Sequence, residues 1–577
     1  MASSMYGSWT RRRIVSTAPL ALGLGSSASA AFAQGLARAP LLPEKDLESA
    51  RQAARERILA TMAATGVGGV AVALVYRDEP VWVEGFGVTD ASGRRVDDRT
   101  IFSLESISKN FTATAIMIAV QEGLLDLDRP VAHVLPHFTV HSRFEDAPLQ
   151  KVTLRLLLSH RAGFAHEAPA GNNYDLDSPS FETHVRSISD TWLRYPVGER
   201  FCYSNLGIDL AGYVLQRASG VGFAEYLRLK LFEPLGMGDT TADPETYARR
   251  QNRAIGHSAG YGHVPLRVPM IPSGGVYTSA RDMGRYAAFH LGKGRLRGRQ
   301  VLRRELWEEM HAFPFGGAYS LGIGKVDATY ERGVARIFDH DGGGFGFEAT
   351  FNYCPQTQLS WAVMINGSTH GDTPSPQAFR YPPEVARKAY GDVMGRPVPP
   401  APAAPVTPIE LSPSQARNYA GTYIGRDVAF TLTSDGASLH FKWNGADNRL
   451  AFTSPTKARV MDGPLAQQDW IYHPARGAEA AYFEWSDGSC FDYSDGPDDP
   501  PGPIDARSDP LVGKYEMDVW GKPAAVTLRK QNGYLYLDGF RLSEYRAGLF
   551  FTADGEAADF RTSTPTWRNI RLNRVAG

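Results

Sequence analysis

Phe102-Ser-Leu-Glu-Ser-Ile-Ser-Lys-Asn-Phe-Thr-Ala113 places a hydroxyl at Ser106 and an amine at Lys109, at the mouth of an apolar helix. Residues i and i+3 share a helix face, so Ser106 Oγ and Lys109 Nζ can meet. The helix start adds unpaired N–H groups that favour negative charge. A nucleophile, a proton acceptor and part of an oxyanion site therefore fit within one turn. Ser-x-x-Lys is short enough to recur by chance. Ser454-Pro-Thr-Lys457 repeats it where Pro455 argues against a continuing helix. What separates the two is the company Ser106 keeps.

Tyr203-Ser-Asn205 follows 97 residues after Ser106. It stands between the turn-rich Tyr195-Pro-Val-Gly-Glu-Arg-Phe201 and the helix-like run Leu206 to Leu215. His340-Asp-Gly342 comes third, followed by Gly343, Gly344 and Gly346. It closes the apolar run Val334-Ala-Arg-Ile-Phe338 and faces a second strand, Glu348-Ala-Thr-Phe-Asn-Tyr353. Strands can present backbone N–H groups to a substrate. His290-Leu-Gly292 also reads His-x-Gly, but it ends a helix over 280–290 with Gly292 as its stop.

Ser-x-x-Lys, Tyr-x-Asn and His-x-Gly in this order resemble the serine β-lactamase and penicillin-binding-protein superfamily. The likeness is closest to its class C-like branch of β-lactamases, esterases and D-aminopeptidases (peptidase family S12). Leu154-Arg-Leu-Leu-Leu-Ser-His-Arg-Ala-Gly-Phe164, Phe232-Glu-Pro-Leu-Gly-Met237 and Gly274 to Met283 agree with it. The resemblance implies an α+β, two-lobed domain with Ser106, Lys109 and Tyr203 catalytic. Ser106 would form the acyl-enzyme, with Lys109 or Tyr203 as base or the two sharing a proton. Asn205 would orient Lys109 or bind substrate. His340, Gly342 and Gly343 would line the substrate and oxyanion side. Penicillin-recognising members usually carry Lys-Thr-Gly at the third motif. Histidine, with an ordinary pKa of about 6.5, brings no permanent charge to greet a carboxylate. That favours peptidase, amidase or esterase chemistry over β-lactam hydrolysis.

Each residue also has a plainer reading. Ser106 could cap a helix, Lys109 could be a surface lysine, and Tyr203 could pack in the core. Asn205 suits a turn or cap, His340 a structural role, and Gly343 and Gly344 a tight turn. Nothing in the sequence places His160 or Asp341 near Ser106.

The chain has 577 residues, which implies about three domains. Its 61 Lys and Arg nearly balance 62 Asp and Glu, so no charge excess points to nucleic acid. Cys202, Cys354 and Cys490 are odd in number and far apart, which excludes a disulfide framework. No His-Glu-x-x-His or Cys-x-x-Cys spacing occurs, so neither a metal nor another cofactor is expected. Residues 1–33 read as a Tat-type signal: Arg11, Arg12 and Arg13, a modest apolar stretch, then Ala31-Phe-Ala33. Gly, Ser and Pro19 dilute that stretch too far for a membrane span, and a periplasmic location follows.

A catalytic domain is expected over 44–395 and a proline-rich linker over 396–410. Beyond it the pattern turns to β and repeats: Thr431, Leu432 and Leu439 recur 96 residues later as Thr527, Leu528 and Leu535. Two antiparallel barrels, 411–493 and 508–577, fit this alternation and resemble the three-domain D-aminopeptidases. Two stretches, 461–469 and 492–509, are candidates to reach the cleft, with Asp495, Asp498 and Asp499 to pair with a substrate ammonium. A catalytic domain cut after Pro397 is expected to fold alone. The expected substrate is a short peptide or small ester, with D-residues allowed. The alternatives are an esterase, a weak β-lactamase or penicillin-binding relative, and a non-catalytic ligand-binding homologue.

Overall fold

The computed structural model describes residues 41–575 except 175–177, 258–264, 266, 368–378, 380–382, 400–404, 426–427, 478, 487 and 503–505. The export signal expected at 1–33 lies outside the described residues.

Helix α1 (Glu44–Thr65) leads into strands β1 (Gly69–Tyr76) and β2 (Glu79–Gly87), which turn at Arg77 and Asp78. A helical lobe follows, holding α2 (Ser108–Gln121), α3 (Asn205–Ser219) and α4 (Ala280–Leu291). The chain then returns as β3 (Gly324–Tyr330), β4 (Gly333–Gly344), β5 (Phe347–Cys354) and β6 (Leu359–Ile365), and closes on α5 (Pro383–Met394). Among the described residues these strands form one antiparallel sheet in the order β2-β1-β6-β5-β4-β3. The first and last strands meet in its middle, with Val70 opposite Ile365.

β1 explains the layers. Its side chains alternate between faces, and both faces are covered. Val70, Val72 and Leu74 pack in one buried cluster with Ala50, Ala54 and Ile58 of α1 and Val385 and Ala389 of α5. Ala71, Ala73 and Val75 point into the larger cluster that holds α2, α3 and α4. Small alanines let the helices approach closely. Burial on both sides accounts for the unbroken apolar run in the sequence.

α2 is buried from Ser108 through Ala119, as befits a helix that is apolar nearly all round. Its polar side chains bond to neighbouring backbone and side chains. Thr112 Oγ1 donates to Pro272 O at 2.7 Å, Ser108 Oγ accepts from Val276 N at 2.9 Å, and Asn110 Oδ1 accepts from Tyr286 at 2.7 Å. Buried polar groups satisfied in this way hold the helix in one register.

Beyond the linker, strands from Gly421–Ile424 to Cys490–Asp495 close into a barrel. A second antiparallel, nearly closed unit runs from Gly513–Val519 to Asn573–Arg574. Ser454 and Lys457 face each other across a hairpin of the first barrel, so this second Ser-x-x-Lys is no helical site.

Both barrels dock on the segment 192–200 that leads into Tyr203. Asp492 of the first barrel accepts from Arg200 Nη1 and from the Tyr195 hydroxyl, each at 2.8 Å. Asp554 of the second accepts from Arg194 at 2.8 and 2.9 Å. All four charged groups are buried. This corrects three expectations. Asp499 accepts from Tyr493 at 2.8 Å and pairs with Arg541, tying barrel to barrel. Leu465 of the 461–469 stretch is packed in its own barrel core. A domain cut after Pro397 would leave Arg194 and Arg200 without their partners, so it is not expected to fold as a sound unit.

Removing one partner of a buried ion pair costs about 3–5 kcal/mol, because the other charge stays buried. Asp492→Ala is therefore expected to lower the thermal midpoint by several degrees, read by differential scanning calorimetry. An unchanged midpoint would show that the barrel interface is not held by this pair.

Candidate active site

Ser106 sits in a 3-10 turn, Glu105–Ile107, that feeds directly into α2. In a 3-10 turn residues i and i+3 eclipse. Lys109 Nζ accordingly reaches Ser106 Oγ at 3.0 Å. Nζ also donates to the Ser273 carbonyl at 2.8 Å and lies 4.9 Å from the Tyr203 ring centre. Lys109 is fully buried and Ser106 is partly exposed. A rigid, dry amine and a reachable hydroxyl are thus brought together by a helix that cannot shift. The surface-lysine reading of Lys109 is excluded.

Glu105, immediately before Ser106, has φ of 49°, a conformation side-chain-bearing residues seldom adopt. Such strain tends to collect at functional sites. Its carboxyl is buried, accepts from Ser103 Oγ at 2.8 Å, and is pushed up by burial to about 8. An unfolded chain would ionise it near 4.5. Between these values the native state holds a proton that the unfolded state releases, so stability falls as pH rises through the window. Glu105→Gln keeps the neutral shape. Its stability relative to wild type is expected to rise by a few kcal/mol between pH 5 and pH 8. Parallel curves of unfolding free energy against pH would contradict the buried neutral carboxyl.

Tyr203 and Asn205 arrive from the start of α3, within the same helical lobe. Ser204 caps α3 by accepting from Gly207 N at 3.0 Å, which places Tyr203 just before the helix and Asn205 at its first position. Asn205 Nδ2 donates to Glu167 Oε1 at 3.1 Å. Among the described residues no hydrogen bond joins Asn205 to Lys109, so Asn205 does not hold the amine directly. Glu167 is in turn braced from the second barrel, where Asn569 donates to its carbonyl at 2.7 Å.

His160 belongs to this site although the sequence does not show it. Its ring lies 4.3 Å from that of Tyr203, and its Nδ1 accepts from Ser204 N at 3.1 Å. Asp341 does not join it; its carboxylate accepts from Thr350 at 2.8 Å.

His340 lies inside β4, and the turn falls at Phe345 and Gly346, so Gly342, Gly343 and Gly344 are strand residues. The tight-turn reading of Gly343 and Gly344 is thereby replaced. β3 pairs with β4 only up to Asp339, while β5 pairs with it from Phe338 to Gly344. Residues 340–344 therefore have one edge without a strand partner among the described residues. Gly342 is needed for close approach: a Cβ there would lie 2.0 Å from the Leu104 carbonyl, beside the turn that carries Ser106.

His340 Nδ1 faces the Asp341 carbonyl at 2.7 Å, and its Nε2 faces Tyr319 Oη at 2.9 Å. Burial pushes the Tyr319 hydroxyl well above the ordinary tyrosine range, so it keeps its proton. A neutral imidazole satisfies both bonds, donating from Nδ1 and accepting at Nε2. The third motif thus brings no permanent charge to the site. Among the described residues no cluster of three His, Cys, Asp or Glu is placed to hold a metal ion, and no helix is long and apolar enough to cross a membrane.

The two-lobed fold, with Ser106, Lys109 and Tyr203 gathered within it, is that of the β-lactamase-like class. The Beta-lactamase family model matches residues 54–380, and the chain belongs to that family. Penicillin-binding protein 4 of Amycolatopsis lactamdurans is 27% identical over 352 residues, covering 58% of this chain and 86% of that one. Esterase EstB of Burkholderia gladioli is 32% identical over 268 residues, 40% of this chain and 66% of EstB. The D-alanyl-D-alanine-carboxypeptidase/endopeptidase AmpH of Escherichia coli is 24% identical over 316 residues, 53% of this chain and 80% of AmpH. The crystal structure of SurE superposes with a TM-score of 0.54 at 22% identity, covering 77% of this chain and 99% of SurE. A second SurE structure contains D-Leu. Members of the family include serine peptidases and esterases.

Proposed function

We propose that the protein is an exported, periplasmic serine hydrolase that cleaves amide bonds of short peptides, D-residues included, through an acyl-enzyme on Ser106. The observation that carries this is the Lys109 Nζ to Ser106 Oγ contact at 3.0 Å, with Tyr203 stacked beside the amine. As Oγ bonds to the substrate carbonyl carbon, its proton passes to the Lys109–Tyr203 pair. The carbonyl electron pair moves onto oxygen, which the backbone N–H groups of Ser106 and Gly343 receive; one such donor is worth about 3–4 kcal/mol in other hydrolases. Collapse breaks the bond to the leaving amine, which takes the proton. Water then repeats the sequence and frees Ser106. The open edge of β4 at 340–344 would align the substrate backbone.

An esterase of small acyl esters is the second reading, favoured by the absence of a permanent charge at His340 and the 32% identity to EstB. Turnover of D-leucine amide, a short D-peptide and an acyl ester, measured side by side, separates the two. Amide turnover supports the first, and ester turnover alone would replace it with the second. Penicillins and cephalosporins are expected to turn over weakly, since His340 brings no permanent charge to meet their carboxylate; efficient hydrolysis would overturn that reasoning.

A further inference from the structure

The carbonyl that holds Lys109 is itself held from beneath. Ser273 lies in the short helix Ile271–Gly274, where few backbone bonds restrain it. Its N–H donates to Asp209 Oδ1 at 2.9 Å, and its hydroxyl donates to Asp209 Oδ2 at 3.0 Å. Asp209 Oδ2 also meets His184 Nε2 at 3.0 Å, and His184 Nδ1 meets the Ala170 carbonyl at 2.8 Å. His184 and Asp209 are fully buried and Ser273 nearly so. An unbroken path of hydrogen bonds therefore runs Ala170, His184, Asp209, Ser273, Lys109, Ser106.

Counting protons defines the charge on this path. A carbonyl can only accept, so His184 Nδ1 carries a hydrogen. Asp209 accepts from Ser273 at both of its oxygens. A carboxylate also only accepts, so Nε2 must carry a hydrogen too. Imidazole protonated on both nitrogens is a cation. Burial opposes that charge, but the hydrogen bond and charge of Asp209 overcome it and hold the His184 pKa above its ordinary value. Glu167 adds a smaller pull in the same direction.

A buried ion pair is poor evidence of stability, since apolar replacements are often as stable. Its outlet here is the Ser273 peptide, whose carbonyl binds Lys109. A neutral amine has two N–H donors and one lone pair. Anchoring one donor on Ser273 O limits where the lone pair can point, and Ser106 Oγ lies in reach.

We propose that Asp209 and His184 are positioning residues: as a buried imidazolium–carboxylate pair they set the Ser273 carbonyl that aims Lys109 at Ser106. This rests on the reading of Ser106 as nucleophile and Lys109 as its proton partner. Neither residue touches the substrate.

The test measures fluorophosphonate labelling and ester turnover for the full chain, with Asp209→Ala, Asp209→Asn and Ser273→Ala. Asp209→Ala is expected to slow labelling and kcat about 10- to 100-fold, the scale of a small misplacement of a reacting group, with KM changed less than about threefold. Asp209→Asn keeps an acceptor for Ser273 N–H and should recover most of the loss. Ser273→Ala keeps the backbone donor and should lose less than Asp209→Ala. Nitrogen-15 spectra should show His184 protonated on both nitrogens in wild type and on one in Asp209→Asn. Labelling of folded Asp209→Ala within twofold of wild type would overturn the positioning role while leaving Ser106 as nucleophile. A wild-type adduct away from Ser106 would overturn the nucleophile reading and this proposal with it. If Asp209→Ala fails to fold, Asp209→Asn decides: a neutral His184 in wild type, or no change of its protonation in the variant, contradicts the pair.

Discussion

Ser106→Ala is expected to lower turnover by about 10^4- to 10^6-fold, the scale seen when an activated serine nucleophile is removed. The fold should survive, because Ser106 is partly exposed and Lys109 keeps its bond to the Ser273 carbonyl without it. Covalent labelling should vanish with activity. Ser454→Ala is the internal control. Ser454 lies in a barrel hairpin opposite Lys457, so its loss should change nothing. Turnover by Ser106→Ala within tenfold of wild type would mean that another group attacks the substrate.

The second large effect concerns Lys109 and Tyr203. Lys109→Ala removes an amine bonded at once to Ser106 and to Ser273, and a loss of several orders of magnitude is expected. Tyr203→Phe keeps the ring beside Nζ and deletes only the hydroxyl. If the two groups handle one proton together, the double variant should be barely worse than the poorer single one, as for groups that fail as a unit. Losses that multiply in full would show two independent roles. The cycle separates shared from separate action without deciding in advance which residue is the base.

How much of this could be read from the sequence depends on how local the cause is. Ser106 and Lys109 are three residues apart, and helical geometry alone brings them together. The barrels were legible from Thr431-Leu432 returning as Thr527-Leu528. Contacts across long stretches of chain were not. His160 reaches Tyr203 because Cys202 N donates to the His160 carbonyl at 2.7 Å, a pairing no periodicity announces. Asp209 did leave a signal: it is one carboxylate inside the apolar run Leu206 to Leu215, and a buried charge implies a partner. His184, that partner, could not be named without the fold. The glycines after His340 look like a turn in one dimension. Gly342, Gly343 and Gly344 are a strand because they pair with Ala349, Glu348 and Phe347, and Gly342 must lack a Cβ to pass the Leu104 carbonyl. The barrel carboxylate Asp499 reads as substrate-facing, since nothing local reveals that Tyr493 and Arg541 meet it.

The most direct measurement incubates the full-length protein with a fluorophosphonate, digests it, and locates the adduct by mass spectrometry while residual turnover is followed. A single adduct on Ser106, formed in step with loss of activity and absent from Ser106→Ala, is the expected result. An adduct on any other residue, or full activity retained after Ser106 is modified, would contradict the assignment of Ser106 as the nucleophile.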